Sequence, residues 1–261
     1  MRPNIRSKVL AYSQMGNKES DRTIVFIHGS TMTKEGMGLF AKAFAEYNCI
    51  VFDLPAHGES YGTKTGGISD CAAAVEASIE DLRECKKIGK KLWIAGYSMG
   101  GAITLEIALH KKIAMNGIIL LSTGANLDKY TPLIDEIKKK PVSEFQTMDL
   151  FLRAFGQDTT EKERQEILQG LEQTKVSDEI GYQDLVYSNG YNRIADVGEI
   201  QVPVLIVHGG DDEIILPMSA LDLWSSLKNS QLLLIPYRGH TAIFEERDYI
   251  VKKVYSFIDK C

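Results

Sequence analysis

The chain has 261 residues, of which 44% are hydrophobic and 25% are charged, and its formal net charge at pH 7 is −5. This length and composition are typical of one large globular domain, alone or with a modest insertion. The chain lacks the basic excess that nucleic-acid binding requires, and it has no apolar run of about 18 residues, so we expect neither nucleic-acid binding nor a membrane span.

Apolar runs alternate along the chain with helix-like stretches. The runs are continuous rather than alternately polar, as expected for parallel strands that are covered on both faces. This β-then-α alternation predicts an α/β fold with an open, doubly wound, mostly parallel sheet. The residues before Thr23 suggest one or two further, antiparallel edge strands. The predicted strands are Thr23–Ile27, Cys49–Leu54, Lys91–Ala95, Gly117–Leu121, Val204–Val207 and Leu232–Ile235.

Helical periodicity follows most of these strands. An apolar face recurs at helical spacing, for example at Ile250, Val254 and Phe257 near the end of the chain. The helices predicted between or after the strands are Phe40–Tyr47, Ser69–Ile88, Met99–Lys111 and Asp248–Lys260.

The alternation stops between residues 127 and 196, where only helical patterns occur. This stretch contains 14 acidic and 9 basic residues, so the net charge of −5 falls within it. A solvated helical insertion explains these features. Open α/β sheets bind ligands at the carboxyl ends of their strands, so we also expect the insertion to cover the site as a cap, or lid. The helices predicted there are Leu133–Lys139, Glu144–Phe155, Lys162–Thr174 and Glu179–Tyr187.

The predicted organisation is therefore a core made of residues 1–126 and 197–261, with a helical cap of residues 127–196 inserted before the strand that leads to the acidic site residue.

The sequence Gly96-Tyr97-Ser98-Met99-Gly100 is a G-x-S-x-G motif placed between a predicted strand and a predicted helix. A serine on such a tight turn is forced outward, and its strained backbone requires small neighbours. The start of the following helix adds backbone N–H groups that favour a developing oxyanion. The motif therefore predicts Ser98 as a nucleophile.

Another glycine turn, His28-Gly29-Ser30, follows the first strong strand. It is explained equally simply as a strand-end turn with a hydrogen-bonded histidine. In the functional interpretation, the Ser30 N–H and the Met99 N–H together form an oxyanion hole.

Two more strand-end loops carry an acid and a base. Asp211 and Asp212 follow the strand that ends near His208, and His240 lies just past the last apolar run. A serine hydroxyl needs an imidazole to take its proton, and the imidazole needs a carboxylate to fix its tautomer. The order Ser, Asp, His is the triad order of α/β-hydrolases.

With these motifs the chain resembles the α/β-hydrolase fold, and in particular its small, lid-bearing esterase, lipase and lactonase branch. The segment Asp53-Leu54-Pro55-Ala56-His57-Gly58-Glu59-Ser60 adds to the resemblance, although the family commonly has glycine where Ala56 stands. The resemblance implies Ser98 as nucleophile, His240 as base, and the amides of Ser30 and Met99 as the oxyanion hole.

The resemblance leaves two candidates for the acid. Family members usually show His-Gly-x-x-Asp, which selects Asp212 when counted from His208. A proline usually stands four residues after the acid, but here Pro217 is five residues after Asp212. The loop is therefore one residue longer than usual, and Asp211 remains an alternative acid. Asp53 and His57 are expected to shape their loop and are assigned no chemistry.

We therefore expect a serine hydrolase acting on a small or medium carboxylic ester, thioester or lactone. The same triad also serves C–C bond hydrolases, acyltransferases and lyases, and a non-catalytic receptor for small molecules is a further alternative. Haloalkane dehalogenation is disfavoured because it needs a carboxylate at position 98.

The mechanism requires no organic cofactor, and no metal site is expected because the histidines lack ligand spacing. The chain begins without the apolar segment of a secretory signal, and its cysteines form no CxxC pair, so we expect a cytoplasmic protein with reduced thiols. The cysteines are Cys49, Cys71, Cys85 and Cys261.

Overall fold

Seven strands form one sheet at the centre of the molecule. The computed structural model describes residues 10–60, 67–139 and 141–261. The strands are β1 (Tyr12–Gly16), β2 (Arg22–Ile27), β3 (Asn48–Phe52), β4 (Lys91–Tyr97), β5 (Gly117–Leu121), β6 (Val204–Gly209) and β7 (Ser230–Ile235).

The sheet order is β1-β3-β2-β4-β5-β6-β7. Strand β1 runs antiparallel to β3, and every other neighbouring pair is parallel. The predicted doubly wound, mostly parallel sheet is thus confirmed. Of the one or two antiparallel edge strands suggested before Thr23, β1 is present, and residues 1–9 lie outside the described residues.

Both faces of the sheet are buried. Successive side chains of a strand point to opposite faces, and β2 divides in this way between two apolar clusters. Val25 and Ile27 belong to the cluster on one face, and Ile24 and Phe26 belong to the cluster on the other. This explains why the strands read as continuous apolar runs.

Helices cover the two faces. They are α1 (Lys34–Ala41), α2 (Ile68–Glu84), α3 (Met99–His110), α9 (Met218–Ser226), α10 (Ala242–Glu245) and α11 (Arg247–Ile258), with α4 to α8 described below. The helix α9 was not predicted, because Met218 and Trp224 are exposed and the helix therefore lacks one clear buried apolar stripe.

The helix predicted over Phe40–Tyr47 is wrong in position, since α1 ends at Ala41. The rings of Phe40 and Phe44 are both buried, with centroids 5.3 Å apart, and their spacing imitates a helical stripe. The backbone there forms short turns instead, in which the Phe44 N–H donates to the Ala41 carbonyl at 3.1 Å.

The segment 127–196, which was predicted as a cap, lies in the connection between β5 and β6. Its described residues form α4 (Leu127–Tyr130), α5 (Pro132–Lys138), α6 (Thr147–Leu152), α7 (Glu161–Thr174) and α8 (Asp178–Ser188). A capping box between Thr160 and Glu163 fixes the start of α7. The helix predicted over Glu144–Phe155 is shorter than expected, because Phe145 is extended and buried before α6 begins.

The strand order places a crevice at the middle of the sheet. The chain passes from β2 to β3 on one side, while β4 lies on the other side of β2. The loops that follow β2 and β4 therefore diverge at the carboxyl ends of adjacent strands, where open α/β sheets bind ligands. Among the described residues, no helix has both the length and the apolar character needed to cross a bilayer.

Candidate active site

Ser98 lies between β4 and α3 in a backbone conformation that is rare for a residue with a side chain. Its φ is 53° and its ψ is −120°. Two buried hydrogen bonds hold this turn: the Ser98 N–H donates to the Leu121 carbonyl at 2.9 Å, and the Thr123 hydroxyl donates to the Ser98 carbonyl at 2.8 Å. The neighbouring strand β5 and the loop after it therefore maintain the strain that exposes the Ser98 hydroxyl to the crevice.

The two glycines of the motif are required by close backbone contacts. A Cβ atom at Gly96 would lie 2.1 Å from the Gly100 carbonyl oxygen, and one at Gly100 would lie 2.3 Å from the Ile27 carbonyl oxygen. Any side chain at either position would force the turn apart, so the spacing that identified the motif has a steric origin here.

The structure brings His240 to Ser98. The Ser98 Oγ lies 3.0 Å from the Nε2 of His240, and the Nδ1 of His240 lies 2.8 Å from the Oδ2 of Asp212. An ionised carboxylate only accepts hydrogen bonds, so Nδ1 carries the ring proton and donates it to Asp212. The Nε2 atom is then free to accept the proton of the Ser98 hydroxyl.

Asp212 is 1% exposed, yet its carboxylate is fully engaged. Its Oδ1 accepts the N–H groups of Ile214 and Ile215, both at 2.9 Å, and the Nε2 of His208 lies 3.2 Å from its Oδ2. Burial by itself raises the pKa of this carboxyl, but the electrostatic interaction with His240 and the hydrogen bonds from the rings of His208 and His240 outweigh it and hold the pKa well below its usual range. Asp212 is therefore ionised throughout the neutral pH range.

Asp211, the alternative acid, faces elsewhere. Its Oδ2 accepts the N–H of Gln157 at 3.1 Å, so this carboxylate fastens the loop before α7 rather than the ring of His240. Of the two adjacent acids, the structure brings only Asp212 to His240.

Ser30 and Met99 line a small cavity above Ser98. The turn after β2 lies directly against the nucleophile turn, since a Cβ atom at Gly29 would be 3.0 Å from the Cβ of Ser98. The cavity measures about 20 Å³, which is little more than one water molecule occupies. Its wall is largely aliphatic, with Leu133, Ile134, Ile137, Leu150 and Leu185 from the β5–β6 connection and Ile214 and Ile215 from the loop after β6.

Glu245 is a residue of the site that the sequence did not reveal. Its Oε1 accepts the Gly239 N–H at 3.1 Å and the Thr241 hydroxyl at 2.8 Å, on either side of His240. Its Oε2 accepts the N–H of Gly156 at 3.2 Å, which ties the His240 loop to the β5–β6 connection. A lone glutamate in a short helix carries no local signal of these contacts, and the same holds for Thr123.

The chain is similar to solved and curated proteins over most of its length. A solved lipase-esterase related protein from Clostridium acetobutylicum superposes with a TM-score of 0.84 at 25% identity, covering 95% of this chain and 99% of that one. A thermophilic esterase from Thermogutta terrifontis superposes with a TM-score of 0.80 at 19% identity, covering 96% and 93%. A 2-hydroxy-6-oxononadienedioate/2-hydroxy-6-oxononatrienedioate hydrolase of Escherichia coli is 25% identical over 264 residues, which span 92% of this chain and 88% of the relative.

The family-level match covers most of the molecule. Residues 24–252 match the model of the Alpha/beta hydrolase family, a range that includes the turns carrying Ser98, Asp212 and His240. The chain belongs to the alpha/beta hydrolase family.

Proposed function

We propose that the protein is a serine hydrolase that cleaves a small or medium carboxylic ester, thioester or lactone through an acyl-enzyme. The observation that carries the proposal is the continuous hydrogen-bonded relay from Ser98 through His240 to Asp212, with distances of 3.0 and 2.8 Å. Nucleophile, base and orienting acid are thus within proton-transfer distance before any substrate binds.

Acylation follows from these positions. The Ser98 Oγ attacks the substrate carbonyl carbon as its proton passes to the Nε2 of His240, and the resulting oxyanion is stabilised by the amides of Ser30 and Met99. The bond to the leaving oxygen or sulfur then breaks, and the imidazolium returns its proton to the leaving group. Asp212 stabilises the imidazolium and stays ionised throughout.

Deacylation repeats the sequence with water as the nucleophile. His240 takes a proton from the water, whose oxygen attacks the acyl carbon, and the bond to the Ser98 Oγ breaks. The proton returns to Ser98, so the products are a carboxylic acid and the alcohol or thiol, or a hydroxy acid from a lactone.

The wall of the cavity supports an uncharged acyl group. Among the described residues that line it, none carries a charge, and the aliphatic ones come mostly from the β5–β6 connection. We infer that residues 127–196 act as the cap that excludes water and selects the acyl group. A cavity of about 20 Å³ admits no acyl chain, so the cap must move away from Ser98 when the substrate enters.

C–C bond hydrolysis is the second candidate, because the Escherichia coli relative is named for a dioate substrate. Such a substrate carries two carboxylates, whereas the described lining of the cavity offers no cationic partner for them. Burying an unpaired carboxylate is costly, so the ester, thioester or lactone is preferred.

The test is hydrolysis of p-nitrophenyl esters from acetate to palmitate by the wild type and by Ser98→Ala. Ser122→Ala is a matched control, because Ser122 is buried at the same edge of the sheet and its hydroxyl has no partner in the described part of the chain. We expect turnover by the wild type and the control, and a loss of roughly 10⁴-fold or more in Ser98→Ala.

Full activity in Ser98→Ala would refute the serine mechanism. A folded wild type that hydrolyses none of the esters would refute the ester proposal and favour C–C hydrolysis, acyl transfer or a receptor role.

A further inference from the structure

A buried histidine–carboxylate pair joins the loop after β3 to helix α8. The Nε2 of His57 lies 2.9 Å from the Oδ2 of Asp184, and its Nδ1 lies 2.9 Å from the Pro55 carbonyl oxygen. The two side chains are only 3% and 7% exposed. Because a carbonyl and a carboxylate both accept hydrogen bonds, both ring nitrogens of His57 must donate. His57 is therefore an imidazolium paired with the Asp184 carboxylate.

The neighbouring charges agree with this assignment. The ring of His28 lies 4.8 Å from that of His57, and its Nδ1 donates to the Gly29 carbonyl while its Nε2 accepts the Leu54 N–H, so His28 is neutral. Burial and the charge of His57 hold the pKa of His28 well below its usual value.

Two carboxylates raise the pKa of His57: Asp184 on α8 and Asp53 in the loop after β3. Asp53 is itself paired with Lys34. Burial lowers the pKa of His57, but its hydrogen bond and charge interaction with Asp184, helped by Asp53, outweigh burial and raise it. The ammonium of Lys34, 2.8 Å from Asp53, also acts on His28, and it is paired in addition with Glu35 and Glu59.

The same carboxylate holds the backbone next to Ser30. The Oδ2 of Asp184 accepts the Thr31 N–H at 2.9 Å, and the Thr31 carbonyl accepts the Val176 N–H, also at 2.9 Å. Thr31 has a φ of 70°, which is rare for a β-branched residue and persists only where its surroundings enforce it. The β5–β6 connection thus clamps Thr31 from both sides.

We propose that Asp184 and His57 are positioning residues that orient the oxyanion-binding amide of Ser30 through the backbone of Thr31. The Thr31 N–H lies in the peptide plane that follows the Cα of Ser30, and the Ser30 N–H lies in the plane that precedes it. Anchoring the following plane through Asp184 therefore restrains the Cα position from which the Ser30 N–H extends. The inference rests on the proposed serine mechanism. It makes the β5–β6 connection part of the catalytic geometry, in addition to its role as a wall of the cavity.

A matched control separates this role from simple docking of α8. Asp178 lies at the start of the same helix, and its Oδ1 accepts the Thr147 N–H at 3.0 Å, so it also fastens the helix through a backbone amide. The described contacts of its carboxylate are with Thr147 and Lys175 and do not include Thr31. If Asp184 only docked the helix, Asp178→Asn and Asp184→Asn would have similar effects.

The experiment measures kcat and KM for p-nitrophenyl butyrate against pH in the wild type, Asp184→Ala, Asp184→Asn and Asp178→Asn. We expect Asp184→Ala to lose roughly 10- to 100-fold in kcat, because a misdirected oxyanion donor costs part of its full effect, while KM changes little. Asp178→Asn should keep its kcat within about 3-fold.

The pH profile provides a readout that a structural role would not move. Deprotonation of His57 removes the positive charge that holds Asp184 and leaves one ring nitrogen with a lone pair facing an acceptor, so kcat should fall on the alkaline side. In Asp184→Asn the imidazolium loses its counter-charge, its pKa falls, and this alkaline limb should move to lower pH. The acid limb of the profile should stay in place.

A second measurement is independent of turnover. The ¹⁵N chemical shifts of the His57 ring at pH 7 should show both nitrogens protonated in the wild type. A neutral His57, or an Asp184→Ala variant that is folded and retains wild-type kcat, would overturn the inference while leaving the serine mechanism intact. If the folded wild type does not hydrolyse the ester at all, the proposed function is refuted instead.

Discussion

The two sides of the cavity above Ser98 differ in structure: one consists of hydrogen-bonded turns of the sheet, and the other of aliphatic side chains. On the sheet side, Ser98 and Asp212 sit on tight turns whose backbone groups are held by short, buried hydrogen bonds. On the side of the β5–β6 connection, the cavity meets aliphatic side chains such as Leu133 and Leu150. In the proposed mechanism the sheet side holds the reacting atoms, whereas the β5–β6 connection limits what reaches them and anchors the turn that carries Ser30.

The largest effect should come from the acid on the sheet side. Asp212→Asn removes the acceptor that fixes the tautomer of His240, so we expect kcat to fall roughly 10³- to 10⁴-fold. Asp211→Asn is the control, because Asp211 bonds the Gln157 N–H and not the ring. Steady-state kinetics on a p-nitrophenyl ester would decide, and a larger loss in Asp211→Asn would reassign the acid.

On the side of the β5–β6 connection, a substitution in the cavity wall should alter the preferred acyl-chain length rather than the chemical step. Leu133, Ile137 and Leu150 separate the cavity above Ser98 from a second cavity of about 90 Å³ that lies beside α5 and α6. Leu133→Ala should join the two. The joined cavity could bury one or two more methylenes of the octanoyl chain, each contributing about 0.8 kcal/mol. The ratio of kcat/KM for octanoate to that for acetate should therefore rise about 10-fold.

The control for this change is Leu152→Ala, because Leu152 is on α6 but is 58% exposed. Its ratio of octanoate to acetate hydrolysis should match that of the wild type. An unchanged ratio in Leu133→Ala would contradict the assignment of the acyl site to this wall.

A smaller effect on kcat is expected when the hydrogen bond that supports the Ser98 turn is removed. Thr123→Val removes the donor to the Ser98 carbonyl and should lower the free energy of unfolding by about 1 kcal/mol and kcat by several-fold. Thr104→Val removes a similar buried hydroxyl, which donates to the Gly100 carbonyl at 2.8 Å within α3. It should cost comparable stability in urea unfolding without the loss in kcat, and equal losses in kcat would argue against a specific role for Thr123.

The smallest effect concerns stability and pH. The pKa of His57 is raised in the folded protein, so its pairing with Asp184 stabilises fully below the unfolded value of 6.5 and is lost as the pH rises through the folded value. The gap in unfolding free energy between wild type and Asp184→Ala should therefore narrow as the pH rises from 6 towards 9. A gap that does not change with pH would mean that the His57 pair contributes no charge-dependent stability.

The sequence predicted the sheet side of the site better than the side of the connection. The turns around Ser98 and Asp212 are local, so the residues that define them are close together in the chain and leave a readable spacing. The continuous apolar strands were readable for a similar reason, because burial on both faces leaves a simple pattern.

The rest depends on contacts between distant parts of the chain. Asp184 meets Thr31 across 153 positions, and Glu245 meets Gly156 across 89, so no local spacing records either contact. The misplaced first helix has a related cause, because Phe44 stacks on Tyr255 near the end of the chain, with centroids 5.6 Å apart, and its burial imitates a helical pattern.

The central claim, that Ser98 is the nucleophile, is tested most directly by labelling with a fluorophosphonate followed by peptide mass spectrometry, with His240→Ala alongside. The prediction is one phosphonyl group per chain, located on Ser98, at a rate that collapses in His240→Ala. Labelling of a different residue, or the absence of label in a protein that still turns over esters, would contradict it.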